Sequence, residues 1–397
     1  MKVGVYSAGF SPDAGGGYTF EQEILGSLMR LMPESRHEFT VFLIDPSAEV
    51  SNSMKNFVGP YMPLVEVSPK PKINFAGKIK KILKRPTDQK NALQVAAENI
   101  NIQMMWFPGP LYMSVDIPYI ATVWDLQHRL QPWFPEVGVG SEWSAREANY
   151  SLMLRRASYV IAGTQAGKDE IRSFYQIPER RIRILPHPSP SFALKSDGVV
   201  IDTVLKKHDL ERGFLFYPAQ FWPHKNHVNL LLALKALKEK YGIGMTLALA
   251  GSEKGNQNYV REYAKQLGLD NQVRFLGFVP TDELIALYKG AFALVYLTYF
   301  GPENLPPLEA FSLGCPVIAS SVSGAQEQLG DAAILVNPSE PESIALAIKN
   351  LVEQPAIRSE LVEMGRKRAS KWTGTEFVRD MFSIFDEFEP IRRVWRF

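Results

Sequence analysis

The chain has 397 residues, of which 46% are hydrophobic and 22% are charged, as in an average globular protein and unlike a disordered or fibrous one. This length predicts two domains, and a net charge of +2 is too weak to predict binding to nucleic acid. The single Cys315 cannot form an internal disulfide, which is typical of a reducing compartment. With no secretory leader and no apolar run of ~18 residues, we expect a cytoplasmic protein.

Apolar runs in the first half of the chain predict buried strands that alternate with helices. The first, KVGVYSAGF at 2–10, leads through a glycine loop into the helical pattern EQEILGSLMRLM. Further strands are predicted at 39–44, 104–108, 119–125 and 159–164, with a helix at 142–157. Continuous apolar strands separated by helices predict a parallel sheet that is covered on both faces.

The same alternation starts again after a proline and serine cluster at 184–192. Strands are predicted in GFLFYPA, MTLALAG, VRFLGFV, FALVYLT, PVIASS and AAILV, with helices between them. We therefore predict an α/β protein of two doubly wound, Rossmann-like domains that face a central cleft. The predicted parts are an N-terminal domain (1–190), a linker (191–211), a C-terminal domain (212–372) and a helix (373–397) that crosses back to the N-terminal domain.

Residues that directly follow strands are the first candidates for a site, because ligands of parallel sheets bind beyond the carboxyl ends of the strands. Gly16 and Gly17 follow the first strand and precede a helix, where glycine amides can approach a phosphate or a sugar. A plain flexible loop explains these glycines equally well. Lys225, in FYPAQFWPHKNH, is placed to meet a diphosphate or to be a solvated turn lysine. Asn226 after it is expected to cap the next helix.

The stretch FGPENLPPLEAF at 300–311 joins a strand to a helix that is predicted to begin near Pro307. Glu309 is then expected in the first helical turn, where a negative side chain is favoured even without a ligand. No metal site is expected, because the histidines near Lys225 have no further histidine or cysteine beside them and the chain has no Asp-x-Asp cluster.

Together these segments resemble the retaining GT-B glycosyltransferases of sequence family 4, and in particular their mannosyltransferase-like group. The resemblance is strongest over 212–340, where YPAQFWPHKNH, LALAGS, VRFLGFVP, LPPLEAFSLGCPVIAS and GDAAILVNP occur in the family's order. The N-terminal half adds the glycine loop, TVWDLQH at 122–128 and FPEVGVGSEWSAREANY. The resemblance implies a GT-B fold whose C-terminal domain binds a nucleotide-sugar and whose N-terminal domain binds the acceptor.

The resemblance also implies roles for individual residues. Glu309 would accept hydrogen bonds from the ribose hydroxyls of the donor. Lys225 would neutralise the donor diphosphate, whose charge grows as the glycosidic bond breaks. The other residues assigned to the nucleotide-sugar are Gly16, Gly17, Gln220, Gly251, Phe278, Val279, Asn304 and Leu305.

Three positions depart from the family pattern. Gln220 stands where an arginine is common, and Gly301 where a glutamate that contacts the transferred sugar is common. We hypothesise that Glu303, or the amides beside it, replaces the missing carboxylate. A tryptophan precedes Asp125 where the family often has histidine. Asp125 and His128 are therefore the candidates for contact with a sugar or acceptor hydroxyl. A structural role for Asp125 as a helix cap is left open.

These features predict transfer of a hexose, with mannose favoured, from a nucleotide-diphosphate sugar to a saccharide or lipid-linked saccharide acceptor in polysaccharide or lipopolysaccharide assembly. A GDP-sugar is favoured over a UDP-sugar, and no cofactor is expected. A nucleotide-sugar epimerase and a non-catalytic nucleotide or saccharide-binding protein are the alternatives. The basic segment 69–86 and the ending IRRVWRF indicate either contact with an anionic membrane on its inner face or an ordinary lysine-rich surface.

Overall fold

The computed structural model describes residues 1–12, 15–68, 91–194 and 198–395. The basic segment at 69–86, on which the predicted membrane contact partly rests, lies outside the described residues, as do 195–197 of the linker and the last two residues of the chain. Within the described residues, none of the helices has the length and hydropathy needed to cross a membrane.

The N-terminal domain is built on a parallel sheet in the order β3-β2-β1-β4-β5-β6-β7, counted over the described residues. Its strands are β1 (Lys2–Ser7), β2 (Glu38–Ile44), β3 (Leu64–Val67), β4 (Met104–Trp106), β5 (Tyr119–Val123), β6 (Tyr159–Ala162) and β7 (Ile182–Ile184). The register pairs Val3 with Phe39 on one side and with Met104 on the other. Strand order therefore reverses at β1, which opens a ligand-binding crevice beyond its carboxyl end.

The helices of this half run α1 (Gly16–Leu31), α2 (Ala48–Val58), α3 (Ala92–Asn99), α4 (Gln127–Leu130), α5 (Pro135–Gly138), α6 (Glu142–Arg156), α7 (Gln165–Tyr175) and α8 (Ser191–Leu194). The central strands β4, β5 and β6 are buried along their whole length. This burial explains why their sequences are continuously apolar and do not alternate.

The C-terminal domain repeats the arrangement with the strand order β10-β9-β8-β11-β12-β13 among the described residues. Its strands are β8 (Leu215–Pro218), β9 (Leu247–Ala250), β10 (Val273–Gly277), β11 (Ala293–Tyr296), β12 (Val317–Ser320) and β13 (Ala333–Val336). Its helices, with the linker helix first, are α9 (Ile201–Lys207), α10 (His227–Tyr241), α11 (Gln257–Gln266), α12 (Thr281–Gly290), α13 (Leu305–Leu313), α14 (Ala325–Leu329), α15 (Pro341–Glu353) and α16 (Pro355–Ala369). Two Rossmann-like α/β domains are thus present, which confirms the predicted fold class.

The last helix, α17 (Gly374–Arg392), packs on the N-terminal domain although it follows the C-terminal one. It begins with a capping box in which Thr373 and Glu376 satisfy the first amides, an arrangement that fixes a helix start. The Phe382 ring stacks on Phe39 of β2 at 5.6 Å between centroids. Helix α17 therefore joins the end of the chain to the first sheet.

Candidate functional site

A cavity of about 450 Å³ lies between the two domains, a size suited to a small-molecule ligand. Its walls come from the loops after β1 and β5 of the N-terminal domain and after β8, β9, β10 and β11 of the C-terminal domain. Both sheets therefore present the carboxyl ends of their strands to the same space. This is the position that the parallel topology predicts for a ligand.

The glycine run forms the N-terminal wall of the cavity, although not as the loop that the sequence predicts. Helix α1 already begins at Gly16, so Gly16 and Gly17 belong to its first turn, and Gly15 precedes it with a φ of +69°. Among the residues that the structure describes, no side chain caps this helix start. A Cβ at Gly16 would lie 3.6 Å from the Leu305 side chain. The positive end of α1 therefore faces the start of α13 across the cavity, where it would favour a negative group.

Lys225 lines the opposite wall, at the end of a single 3-10 turn, Pro223–Lys225. Its ammonium donates a hydrogen bond of 2.9 Å to the Tyr296 hydroxyl and lies 5.3 Å from that ring's centroid. Asn226 stands at the start of α10, but the predicted capping bond is wrong. Its Oδ1, the atom that would cap the helix, accepts instead from the Asn229 side-chain amide at 2.8 Å. Its own amide nitrogen donates to the carbonyls of Leu297 (3.0 Å) and Pro338 (2.8 Å).

Glu309 lies on α13, but not in the predicted place. The helix begins at Leu305 and no acidic residue lies in its first turn, so the expectation that the helix dipole explains Glu309 is wrong. The side chain is buried and lines the cavity, where it accepts a 2.7 Å hydrogen bond from the Tyr288 hydroxyl. Burial raises the pKa of Glu309 to about 7, against a smaller lowering by Tyr288. Burying a carboxylate is costly, so helix geometry alone does not account for this residue.

Gly301 has a φ of +112°, a backbone conformation that side chains other than glycine rarely adopt. The main chain therefore disfavours a glutamate at this position. Glu303 follows in the same turn and lines the cavity, but its carboxylate reaches the N-terminal domain. It accepts a 2.6 Å hydrogen bond from the His187 main-chain N–H, and it fills the space where a Cβ at Gly163 would lie, 1.2 Å from Oε2. Burial raises the pKa of Glu303 to about 8.

The structure separates the two candidates of the TVWDLQH segment. Asp125 lines the cavity and pairs with Arg146 at 2.9 Å. It also accepts a hydrogen bond from the main-chain N–H two residues later. Asp125 thus faces the cavity and also caps a turn, the two possibilities that the sequence leaves open. His128 does not line the cavity. Its ring is fully buried, stacks on Tyr150 at 5.5 Å and contacts Glu147 at 3.2 Å, and burial lowers its pKa. A direct role for His128 on a substrate in the cavity is not supported by this position.

The remaining candidates line the cavity on the side of the C-terminal domain. Gln220 accepts a 3.0 Å hydrogen bond from the Trp222 indole. Gly251 has a φ of +150°, and a Cβ there would meet the Ala219 carbonyl oxygen at 2.2 Å, so only glycine fits where these two strand ends meet. The Phe278 ring is half exposed, at 52%. The other members of this wall are Val279, Asn304 and Leu305.

Several cavity residues were not predicted as site residues from the sequence. The Glu136 carboxylate contacts the His224 imidazole and accepts from its main-chain N–H at 3.1 Å, which links the two domains. Burial lowers the pKa of His224 to about 4, and the same cause lowers that of His187 to about 4. Among the described residues that line the cavity, the other basic side chains are Lys225 and Arg146. In the sequence, His224 is considered only for a metal site, which is not expected there. Glu136 and Arg146 lie in the family-like segment FPEVGVGSEWSAREANY without a role of their own, and no signal marks His187.

Comparison with known proteins is consistent with this geometry. Residues 203–368 match the family model described as glycosyl transferases group 1. An O-antigen chain mannosyltransferase B of Escherichia coli is 25% identical over 221 residues, which are 55% of this chain and 58% of that protein. The O-antigen chain mannosyltransferase RfbU of Salmonella typhimurium is 29% identical over 207 residues, 51% of this chain and 54% of that protein. The chain thus spans little more than half the length of these curated relatives.

Solved structures match over nearly the whole chain. A glycosyltransferase from Rickettsia africae has a TM-score of 0.72 at 14% identity and covers 98% of both chains. Anabaena Alr3699/HepE, solved in complex with UDP and glucose, has a TM-score of 0.71 at 16% identity, over 98% of this chain and 100% of that one. The C-terminal half is therefore similar to the glycosyl transferases group 1 over residues 203–368, and the chain shares the two-domain GT-B fold of these solved structures.

Proposed function

We propose that this protein is a retaining glycosyltransferase that moves a hexose, with mannose favoured, from a nucleotide-diphosphate sugar to a saccharide or lipid-linked saccharide acceptor. Support comes from the group 1 domain and from relatives that are named O-antigen chain mannosyltransferases. Assembly of O-antigen, lipopolysaccharide or another polysaccharide is the process to which these relatives point. A GDP-sugar is the favoured donor, and a UDP-sugar is the main competitor, since HepE was solved with UDP.

The observation that carries this proposal is the placement of Lys225 and Glu309 on one cavity wall. They follow different strands, yet both side chains line the same space, opposite the start of α1. In the proposed complex the Lys225 ammonium meets the diphosphate, and the Glu309 carboxylate accepts from the ribose. The start of α1 offers the main-chain groups of Gly16 and Gly17 to the sugar or to a phosphate.

The arrangement of acids favours front-face transfer over double displacement. A covalent intermediate would need a nucleophilic carboxylate about 5–5.5 Å from a second carboxyl group. Each carboxylate among the described cavity residues is held by a partner through at least one oxygen, which restrains its movement towards an anomeric carbon. The pairs are Asp125 with Arg146, Glu136 with His224, Glu303 with the His187 amide, and Glu309 with Tyr288.

In the proposed reaction the bond between the anomeric carbon and the phosphate oxygen breaks as the acceptor oxygen bonds to the same face. The acceptor proton passes to the departing phosphate, so the protein needs no separate base. Lys225 stabilises the negative charge that grows on the diphosphate, and the cavity supplies orientation. Asp125, on the N-terminal wall, would hold an acceptor or sugar hydroxyl.

Incubation of the protein with GDP-mannose and UDP-glucose, each with and without saccharide acceptors, tests the proposal. We expect an acceptor-dependent loss of one donor, strongly reduced in Lys225→Ala. Isomerisation of a donor in the absence of any acceptor would support an epimerase instead. Tight nucleotide binding with no turnover for any acceptor would support a non-catalytic binding protein. Co-sedimentation with anionic and neutral liposomes separately tests the proposed location at a membrane.

A further inference from the structure

Glu309 is held by a side chain whose own position is fixed by the core. Within the described residues, the Tyr288 hydroxyl is the donor that reaches the Glu309 carboxylate, at 2.7 Å from Oε2. Tyr288 lies on α12 and is fully buried, and its ring packs edge-to-face on the equally buried Phe216 at 5.0 Å. A hydroxyl carried by such a ring has little freedom to move. It therefore restricts the orientation of the carboxylate.

The environment makes this contact chemically important. Burial raises the pKa of Glu309 to about 7 and that of Tyr288 well above 10. Tyr288 therefore stays a neutral donor at any pH at which Glu309 titrates, and its hydrogen bond favours the ionised carboxylate. Tyr296 and Cys315 are nearby titratable side chains that further raise the pKa of Tyr288. An ionised carboxylate only accepts hydrogen bonds, which suits it to ribose hydroxyls.

We propose that Tyr288 is a positioning residue for the donor ribose: its hydroxyl fixes one oxygen of Glu309 so that the carboxylate presents its other oxygen to the cavity. This inference rests on the proposed function, because it assumes that a ribonucleotide occupies the cavity. The hydroxyl is also 3.3 Å from the Pro306 carbonyl, but it has one proton to donate, and the shorter contact is to Glu309. Specificity for ribose over deoxyribose would then depend on a residue that never touches the ligand.

Tyr288→Phe, made in the full chain, tests the inference by calorimetric binding of GDP, UDP and their 2′-deoxy and 3′-deoxy analogues. We expect the variant to weaken ribonucleotide binding about ten-fold at pH 7, the effect of losing a hydrogen bond to a charged group. Binding of at least one deoxy analogue should change much less. The loss should shrink at pH 9, where Glu309 is ionised even without its donor.

Tyr119→Phe is the matched control, because Tyr119 is equally buried and donates to the Met153 carbonyl at 2.6 Å, outside the cavity lining. An equal loss for ribonucleotide and both deoxy analogues, or no loss, would overturn the role of Tyr288. Failure of the unmodified protein to bind any ribonucleotide would overturn the proposed function and the inference with it.

If Tyr288→Phe does not fold, a measurement on the unmodified protein still tests the inference. The ratio of ribonucleotide to deoxynucleotide affinity should be constant above about pH 8 and should fall below pH 7, as Glu309 takes up a proton. A ratio that stays constant from pH 6 to pH 9 would contradict the inference without any variant.

Discussion

A single methyl group added at Gly163 should break the contact by which Glu303 joins the two domains. The Cβ of an alanine would lie 1.2 Å from Glu303 Oε2, so the carboxylate has to leave. It then loses its 2.6 Å hydrogen bond with the His187 amide, worth about 0.5–1.5 kcal/mol because burial keeps Glu303 protonated and uncharged at neutral pH. Overpacking adds about 1–3 kcal/mol, so we expect Gly163→Ala to lower the free energy of unfolding by roughly 2–4 kcal/mol.

The same reasoning predicts that this cost depends on Glu303. In Glu303→Ala the space is empty, so Gly163→Ala should then cost less than about 1 kcal/mol, a coupling that a double-mutant cycle in urea measures directly. Gly244→Ala is the control, because a Cβ there would meet its nearest neighbour only at 3.9 Å. Equal costs of Gly163→Ala with and without Glu303 would refute the interdomain contact as described.

Three further predictions concern charged groups at the cavity. Burial raises the pKa of Glu303 to about 8 in the folded state, so the folded state binds a proton that the unfolded state releases above about pH 4.5. The free energy of unfolding should therefore fall as pH rises from about 4.5 to 8. In thermal melts, Glu303→Gln should reduce this dependence of stability on pH. Tyr296→Phe removes the acceptor of Lys225 and should weaken nucleoside diphosphate binding about five-fold in calorimetry, while affinity for the uncharged nucleoside stays constant. Glu136→Ala leaves the buried His224 donors without their acceptor, so it should lower the free energy of unfolding in urea by about 2 kcal/mol or more. Glu136→Gln keeps an acceptor oxygen and should lower it less.

The fold was largely predictable because the strands that form the centre of each sheet are continuous apolar runs. The two strands that the apolar pattern does not reveal are short strands at the edges of the first sheet. β3 reads LVEV and β7 reads IRI, and a charged residue in so short a run hides the apolar pattern. Edge strands face water on one side, so nothing forces their composition to be uniform.

The candidate site was predictable only in part. Parallel topology and the resemblance placed Lys225 and Glu309 after the correct strands. The contacts of Glu303 were not predictable, because His187 lies 116 residues away along the chain and no local pattern encodes such a distance. The same applies to Glu136 and His224, which meet only when the domains face each other.

The orientation of individual side chains was the feature that the sequence predicted least well. Asn226 stands where a capping residue is expected, yet its Oδ1 accepts from the Asn229 side chain and not from a main-chain N–H. His128 is four residues from the tryptophan at 124, and the helix that begins at residue 127 turns its ring into the core. Local propensity describes such positions, but packing decides them.

The central claim is that the protein transfers a hexose with retention of the donor's anomeric configuration. Proton NMR of the anomeric signal during transfer tests this claim most directly. The protein is mixed with GDP-mannose and an acceptor saccharide, and the product's anomeric configuration is compared with that of the donor. The account predicts an α-linked product from the α-linked donor, at a rate that Lys225→Ala reduces at least a hundred-fold, about 3 kcal/mol of transition-state stabilisation. A β-linked product, or turnover unaffected by that substitution, would contradict it.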